Sequence, residues 1–277
     1  MAKNFGGTRR GWTFDPITDS LDLVIGGTIV RKFAASGKGI YNIDSTQKYD
    51  IGTALQTPDG RVFYYGSTTT GGVTAGWGAF ITATLPMAYE ALHANAAAGD
   101  MKILVNQASI SANDWKGGYI VMGHGAASTT QNRYILSNTA TDGDTHVWVY
   151  LDGPLTVALT TSEGFEIMPN PYKALCTKSS MEYNGVAGVS AVTAATGKYC
   201  WFQTWGPLWI CPGGAGTPGS TQHERTVYFQ GDGAIVGDVG FNDPTTEPER
   251  RQVAGYIMQQ DSSGAGGPPF VMLQIRP

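Results

Sequence analysis

Short runs of β-branched and aromatic residues recur along the 277-residue chain, and Gly, Asn, Asp or Pro separates one run from the next. For example, GRVFYYG at 60–66 follows the turn signal TPDG, and THVWVYL at 145–151 follows TDGD. β-Branched and aromatic side chains suit a pleated, half-buried surface, whereas Gly, Asn, Asp and Pro suit tight turns. Strands at such close spacing predict an all-β fold, an antiparallel sandwich or barrel.

Signals for helices are scarce. The segment 86–100, PMAYEALHANAAAGD, has Pro86 at a suitable first position, several alanines and Gly99 as a stop, which together predict a short helix. The segment 247–260, EPERRQVAGYIMQQ, fits either an initial helical turn or a loop that leads into a strand.

Composition divides the chain into three parts. Residues 1–22 are predicted to form an extended N-terminal arm, 23–100 a first β region with the short helix, and 101–277 the main sandwich or barrel region. The segments 212–224 and 261–269 consist mostly of Gly, Pro and Ser, which predicts long loops there.

Charged residues make up only 14% of the chain, against about 25% in an average globular protein. Fewer charges mean weaker electrostatic repulsion between neighbouring molecules. The composition therefore favours a protein that works packed against other subunits over a neutral protein that stays monomeric.

The few charges are unevenly distributed. Six basic and three acidic residues give segment 1–40 a net charge of +3, so the total of −4 leaves −7 for the rest. A nucleic-acid-binding body would need a basic face, and we expect no nucleic-acid partner. Within the arm, Arg9, Arg10, Trp12 and Phe14 are the candidates for contact with an acidic protein surface or a neighbouring subunit.

The chain has three cysteines, Cys176, Cys200 and Cys211. An odd number without a CxxC motif or a zinc-type Cys/His spacing is not a disulfide framework or a metal site. We expect all three to behave as small hydrophobic residues, and a Cys200–Cys211 bridge stays open at this stage.

The sequence MAKNFGGTRRGWTF at the N-terminus lacks the apolar core of a signal peptide, and no apolar run reaches 18 residues. We therefore expect synthesis in the cytoplasm without a classical export signal, and no membrane association.

Motifs of common enzyme classes are missing. The chain has no GxSxG, no HExxH and no P-loop, and no GxGxxG follows a strand and opens a helix. The four histidines are scattered, at positions 93, 124, 146 and 223. We therefore expect no catalytic residues, no cofactor and no metal.

Two acidic clusters have residues that could bind a metal ion or a partner. Asp142 and Asp144 flank Gly143, which is compatible with a calcium ligand pair but more typical of a turn closed by side-chain hydrogen bonds. The sequence TEPERR at 246–251 is most simply a solvated or intersubunit charge cluster.

The densest aromatic stretch is CWFQTWGPLWIC at 200–211. Strict alternation would place Trp201, Gln203 and Trp205 on one face of a strand. Gly206–Pro207 would then end that strand before Trp209.

Aromatic-rich strands either stack on sugars or bury a large apolar area. Sugar sites also need several polar groups, and this stretch offers only Gln203 and Thr204. Trp201, Trp205 and Trp209 are therefore predicted to lie in the core or at a subunit interface. On this interpretation Trp205→Ala would cost roughly 3–5 kcal/mol of stability.

Several phrases resemble a group of virion proteins from tailed phages, including phages of marine bacteria and cyanobacteria. The matching phrases lie within residues 57–207: TPDGRVFYYG, HANAAAGDMKILVN, WKGGYIVMGHG, LDGPLTVALTTSEGFEIMPNPY and GKYCWFQTWGP. The most specific of them is W-x-Q-T-W-G, and none carries a catalytic motif.

The resemblance implies a capsid decoration (cement) protein on the outer surface of a phage head, where it would bridge capsomers. The implied partners are the major capsid protein and further copies of the chain, expected as a homotrimer. The alternatives are another virion component, such as a tail, fibre or shell-forming protein, or a carbohydrate-binding adhesin.

Overall fold

The computed structural model describes residues 10–15, 20–25, 28–34, 38–82, 90–124, 129–177, 184–213, 225–237, 252–259 and 269–276, with backbone only up to residue 38 and at His124. The described residues contain one short 3₁₀ helix, Lys38–Tyr41, and no α-helix, and every pairing between named strands is antiparallel. The predicted all-β fold is confirmed. No helix in these ranges has the length and apolarity to cross a bilayer.

The chain forms two compact units: residues 1–82 together with 174–277, and the inserted segment 83–173. The strands of the first unit are β1 Arg10–Asp15, β2 Ser20–Ile25, β3 Thr28–Ala34, β4 Ala54–Gln56, β5 Val62–Ser67, β6 Gly78–Ile81, β13 Leu175–Cys176, β14 Val186–Ser190, β15 Tyr199–Trp209, β16 Thr226–Phe229, β17 Ile235–Val236, β18 Val253–Gln259 and β19 Phe270–Gln274. Those of the second unit are β7 Glu90–Ala91, β8 Lys102–Asn106, β9 Tyr119–His124, β10 Gln131–Asn138, β11 His146–Leu151 and β12 Gly164–Met168.

The predicted N-terminal arm, in its described part, is a small sheet. Strands β1, β2 and β3 pair in order, with Trp12 opposite Leu23 and Phe14 opposite Leu21. The apolar residues Leu21, Leu23 and Ile25 alternate in β2, which suits a strand with one apolar face.

The second unit is a sheet that closes on itself. Its strand order is β7-β12-β9-β10-β11-β8, and the residues after β7 complete the ring. Leu92 donates its backbone N–H to Glu163 at 3.3 Å and bridges to Val105, and His93 donates to Leu104 at 3.0 Å. Closure removes the unpaired edges of the sheet.

The inside of this barrel is filled by large apolar side chains. Ile120, Met122, Ile135 and Phe165 are fully buried in one cluster, and Trp115 covers it with 3% exposure. Strand β8 alternates in burial, as expected for a strand with one face inward and one outward.

The predicted helix at 86–100 is wrong for its described part, residues 90–100. Ala96 pairs with Leu159 through two backbone hydrogen bonds of 2.9 and 2.8 Å, and Gly99 donates to Leu155 at 2.9 Å. Pairing with the 155–159 segment satisfies the backbone without helical hydrogen bonds, so the tertiary contact overrides the helix preference of alanine. Residues 86–89 lie outside the described ranges.

Residue 100, the predicted boundary, falls inside the unit 83–173, where β7 and β8 lie on opposite sides of it in sequence and Leu92, just after β7, bridges to Val105 of β8. The ambiguous segment 247–260 is strand from Val253 to Gln259, and residues 247–251 lie outside the described ranges. The two predicted Gly/Pro-rich loops also lie mostly outside them.

The first unit is built on a ten-stranded sheet, in the order β13-β6-β14-β15-β19-β18-β16-β17, with β5 paired to β15 and β4 to β5. The eleven residues of β15 form its longest strand. Two apolar clusters lie along it, one with β5 and the other with β16, β18 and β19.

We predict that residues 83–173 fold alone, because all strands and the core of the barrel come from this segment. The isolated fragment should unfold in one cooperative thermal transition and give dispersed amide resonances in solution NMR. A fragment that gives a random-coil spectrum would show that the barrel depends on the rest of the chain.

Candidate interaction surface

Strand β15 contains residues 200–209 of the aromatic stretch, and the burial of its side chains changes along its length. Its first half is buried on both faces: Cys200, Phe202, Gln203 and Thr204 have no exposure and Trp201 has 5%. Its second half opens outward, with Trp205 half-buried and Trp209 exposed. The three tryptophans therefore occupy three different environments.

Gly206–Pro207 does not end the strand as predicted. Strand β5 pairs with Tyr199–Trp205 and β19 pairs with Trp205–Trp209, so β15 continues while it changes partner at Trp205. Gly206 has φ = 100°, and a Cβ there would lie 2.8 Å from Cγ of Arg61. Only glycine fits this bend without strain.

Two buried polar side chains stabilise β15 at the position where its partner changes from β5 to β19. Gln203 donates from Nε2 to the carbonyls of Trp205 and Pro207, both at 3.1 Å. Thr204 donates from Oγ1 to the carbonyl of Arg276 at 2.7 Å. The Q-T pair in the stretch thus satisfies backbone groups at a register shift, a structural role that needs no ligand.

Gln203 Oε1 is the one buried side-chain oxygen or nitrogen, among the described residues, that has no hydrogen-bond partner. Gln203 has no exposure, so this oxygen lies in the core and not in a site open to a ligand.

None of the three thiols is bridged, so Cys200 and Cys211 do not form a disulfide here. Burial raises the pKa of the Cys200 thiol to about 11, and burial also raises the pKa of Cys211. Since the thiolate is the reactive form, Cys200 is inert at neutral pH.

A buried carboxylate lies beside the first half of β15. Asp44 is 6% exposed and accepts a 2.8 Å hydrogen bond from the Tyr65 hydroxyl. Lys48 Nζ lies 2.6 Å from its other oxygen. The backbone of Asp44 also exchanges two hydrogen bonds with Tyr199, of 2.8 and 3.0 Å.

Four aromatic rings pack against one another next to this ion pair. Tyr65 is stacked on Tyr199 with ring centroids 6.2 Å apart, and it meets Tyr49 and Trp201 edge-on at 5.1 Å each. Tyr65 has no exposure, so the rings form packed core with one paired charge. The arrangement stabilises the start of β15 and leaves no open binding site there.

The outer face of the sheet around the second half of β15 is largely apolar, although pairing also places Thr226, Gln259 and Gln274 on this side. Paired residues point to the same side, and the pairs are Trp209–Phe270, Pro207–Met272 and Met272–Tyr256. We call the following set the apolar face: Trp205, Pro207, Trp209, Tyr256, Met258, Phe270 and Met272.

Exposure on the apolar face is high for such side chains. Trp209, Tyr256, Met258 and Phe270 are 39%, 42%, 47% and 43% exposed. The opposite side of the same strands is core, where Val271 and Leu273 have no exposure. The ring of Trp209 lies over Gly76, where a Cβ would be 2.3 Å from the indole.

No Lys, Arg, Asp or Glu occurs in β15, β16, β18 or β19. A water-facing strand surface normally carries such residues, and a large apolar patch marks a site of interaction. The apolar face is the candidate functional site.

The other candidate sites have weaker support. Asp142 Oδ1 accepts the backbone N–H groups of Asp144 and His146 at 2.9 and 2.7 Å, which is the turn that the sequence favoured over a calcium site. These hydrogen bonds lower the pKa of Asp142. The rings of His93 and His146 lie 3.7 Å apart, but no group of three or more metal-ligating residues occurs in the described ranges.

Of the predicted interface residues, Trp205 and Trp209 lie on the apolar face, whereas Trp201 belongs to the core cluster with Tyr65. Arg10, Trp12 and Phe14 lie in β1, for which only the backbone is described, and Arg9 lies outside the described ranges.

Sequence reasoning missed Phe270, Met272 and Tyr256 as partners of the tryptophans. The signal that identifies them is the alternation of FVMLQ together with the lack of charge in VAGYIMQ, but pairing of β18, β19 and β15 was needed to bring them together.

No family model, no curated protein and no solved structure matches the chain. Functional inference therefore depends on the residues of this chain.

We predict that Trp201→Ala lowers the free energy of unfolding by about 3–5 kcal/mol, as expected for a buried large aromatic residue. Trp209→Ala should cost clearly less, because its side chain is 39% exposed. Urea denaturation of both variants measures the difference. Equal losses would mean that the two halves of β15 are buried alike.

We predict a loss of stability at alkaline pH through Tyr65. Burial raises the pKa of Tyr65 above its ordinary value of 10.0; the Lys48 N–H opposes this shift, and Asp44 adds to it. A group with a raised folded-state pKa stabilises the fold below its unfolded pKa and loses that contribution as the pH rises further.

Urea midpoints measured from about pH 8 to 11, a range that brackets the ordinary tyrosine pKa, should therefore fall less steeply for Tyr65→Phe than for the wild type. The control is Tyr150→Phe, which changes a tyrosine that is 39% exposed on the barrel and lies away from the apolar face, and it should keep the wild-type slope. A Tyr65→Phe slope equal to that of the wild type would contradict the prediction.

Proposed function

We propose that the chain is a virion structural protein, a decoration (cement) protein that binds the outer surface of a phage head and stabilises it by bridging capsomers. The observation that carries the proposal is the apolar face, a charge-free surface of large aromatic, Met and Pro side chains. Such a face suits permanent packing against protein, because obligate interfaces resemble a domain core cut in half.

The low charge of the whole chain supports the same role. At 14% charged residues, the surface opposes close packing of many copies only weakly. The described residues use their buried polar groups structurally, as Gln203, Thr204 and Asp44 show. The proposed function needs only buried area, with the major capsid protein as partner and no catalysis.

The overall affinity of a cement protein for a shell increases when each subunit makes several contacts. One standard interface of about 1,600 Å² gives specific binding, and a subunit that holds two capsomers gains further from the high effective concentration of its second contact. Segment 1–40, which contains Arg9 and Arg10, is the proposed contact with the shell or a neighbouring copy, because its net charge of +3 suits an acidic surface.

The alternative of a carbohydrate-binding adhesin is favoured by one feature, the exposed indole of Trp209 beside Phe270 and Tyr256. Exposed aromatic rings stack on sugars, but the strands that carry this face supply few polar groups. Glycan-array binding that disappears in Trp209→Ala would support the adhesin.

We predict a high copy number of this chain in purified particles of the phage that encodes it. Quantitative mass spectrometry against the major shell protein should give a ratio near one or a simple fraction such as one-half. The tail or portal proteins of the same particles serve as the low-copy control.

A few copies per particle would contradict decoration and assign the chain to a tail or fibre. Complete absence from the particles would overturn the virion proposal.

A further inference from the structure

We expect a protein partner to bury the apolar face. Its four most exposed side chains remain 39% to 47% exposed, although the same strands bury their other side well. A soluble protein that leaves such a patch in water is prone to nonspecific association, which selection against aggregation opposes.

The size of the face fits the centre of a specific interface. Four large side chains at these exposures leave roughly 300–400 Å² of apolar area, before the half-buried Trp205, Pro207 and Met272 are added. A standard interface buries about 800 Å² per partner, with an apolar centre and a more polar rim. The face has the dimensions of that centre.

Its charge pattern fits a copy of itself. A two-fold interface brings the same patch from both subunits together, so a charged residue near the axis would meet its own like charge. Strands β15, β16, β18 and β19 contain no charged residue, and no such repulsion arises within them.

The geometry also fits. The face is the side of an antiparallel sheet, and two such sheets pack with their strands aligned to within about 30° and about 10 Å apart. Aromatic and Met side chains fill the space between sheets in the core of a sandwich. Two copies placed face to face would therefore complete a sandwich across the interface.

The occupant of the apolar face must be present before the protein reaches a shell. Until then the protein has to stay soluble, and the only partner always available to it is another copy of this chain. From the geometry and charge of the apolar face, we propose that it is the contact between two copies, packed face to face around a two-fold axis. This inference rests on the proposed structural role, and it assigns the face to a sister subunit rather than to the shell. It proposes a pair in place of the homotrimer that the resemblance implies.

The test uses the full chain and compares its molar mass, by light scattering after size exclusion and by sedimentation, across a concentration series. We expect the mass of two copies. The double variant Met258→Lys/Phe270→Lys should shift the protein to one copy, because each lysine would meet its symmetry mate or apolar surface. Trp209 is kept in this variant, since its ring also packs on Gly76.

The matched control is the double variant Met101→Lys/Met168→Lys, which places two new charges at barrel methionines that are 52% and 57% exposed. It should keep the wild-type mass. Tyr256→Lys is a second, independent variant of the face and should again give one copy. Thermal unfolding of all variants shows which of them remain folded.

A wild-type chain that stays at one copy at about 100 µM, a concentration well above the Kd of a stable pair, would overturn the inference. So would folded face variants that keep the mass of two copies, or a wild-type mass of three. The proposed function is judged separately by copy number in particles, so one can fail while the other stands.

Discussion

The first unit depends on one strand that changes partner without ending. Strand β15 leaves β5 and joins β19 at Trp205, and this change joins the β4–β5 part of the sheet to the β19–β18–β16 part. The change is stable because Gln203 satisfies two carbonyls and Thr204 satisfies a third. Without these hydrogen bonds, the shifted register would leave partly buried carbonyls without a protein partner, at a cost of roughly 1–3 kcal/mol for each one that water cannot reach.

The same strand has a first half that is buried on both faces and a second half with one exposed face. Before Trp205, β15 is covered on both faces, and Asp44 with the rings around Tyr65 covers its start. After Trp205, one face covers the apolar cluster of the sheet and the other carries Trp209 with Phe270 and Met272. Core and contact surface are thus consecutive in one stretch, which is why its cysteine is inert while its last tryptophan reaches water.

Local patterns in the sequence predicted the strands but not their connections. Alternation in THVWVYL and the turn at Asp142 are visible in a single segment, because strand period and turn chemistry are local properties. The failures were non-local: residues 90–100 pair with 155–159, and Gly206 bends β15 toward β19. The apolar face could be predicted only in part, because it is formed by the pairing of residues 16 to 65 positions apart in sequence.

The arrangement also explains why a chain so poor in charge forms a defined fold. Apolar burial has no direction, and apolar residues alone would allow β15 to slip along its partners. The few buried polar groups have direction: Gln203, Thr204 and the Asp44–Tyr65 pair each satisfy specific hydrogen bonds in one register. Register is therefore fixed from within, and the outer side of the sheet needs no charged residues to specify the fold. That side can therefore be free of charge and largely apolar, which is the property that the centre of a permanent contact between subunits requires.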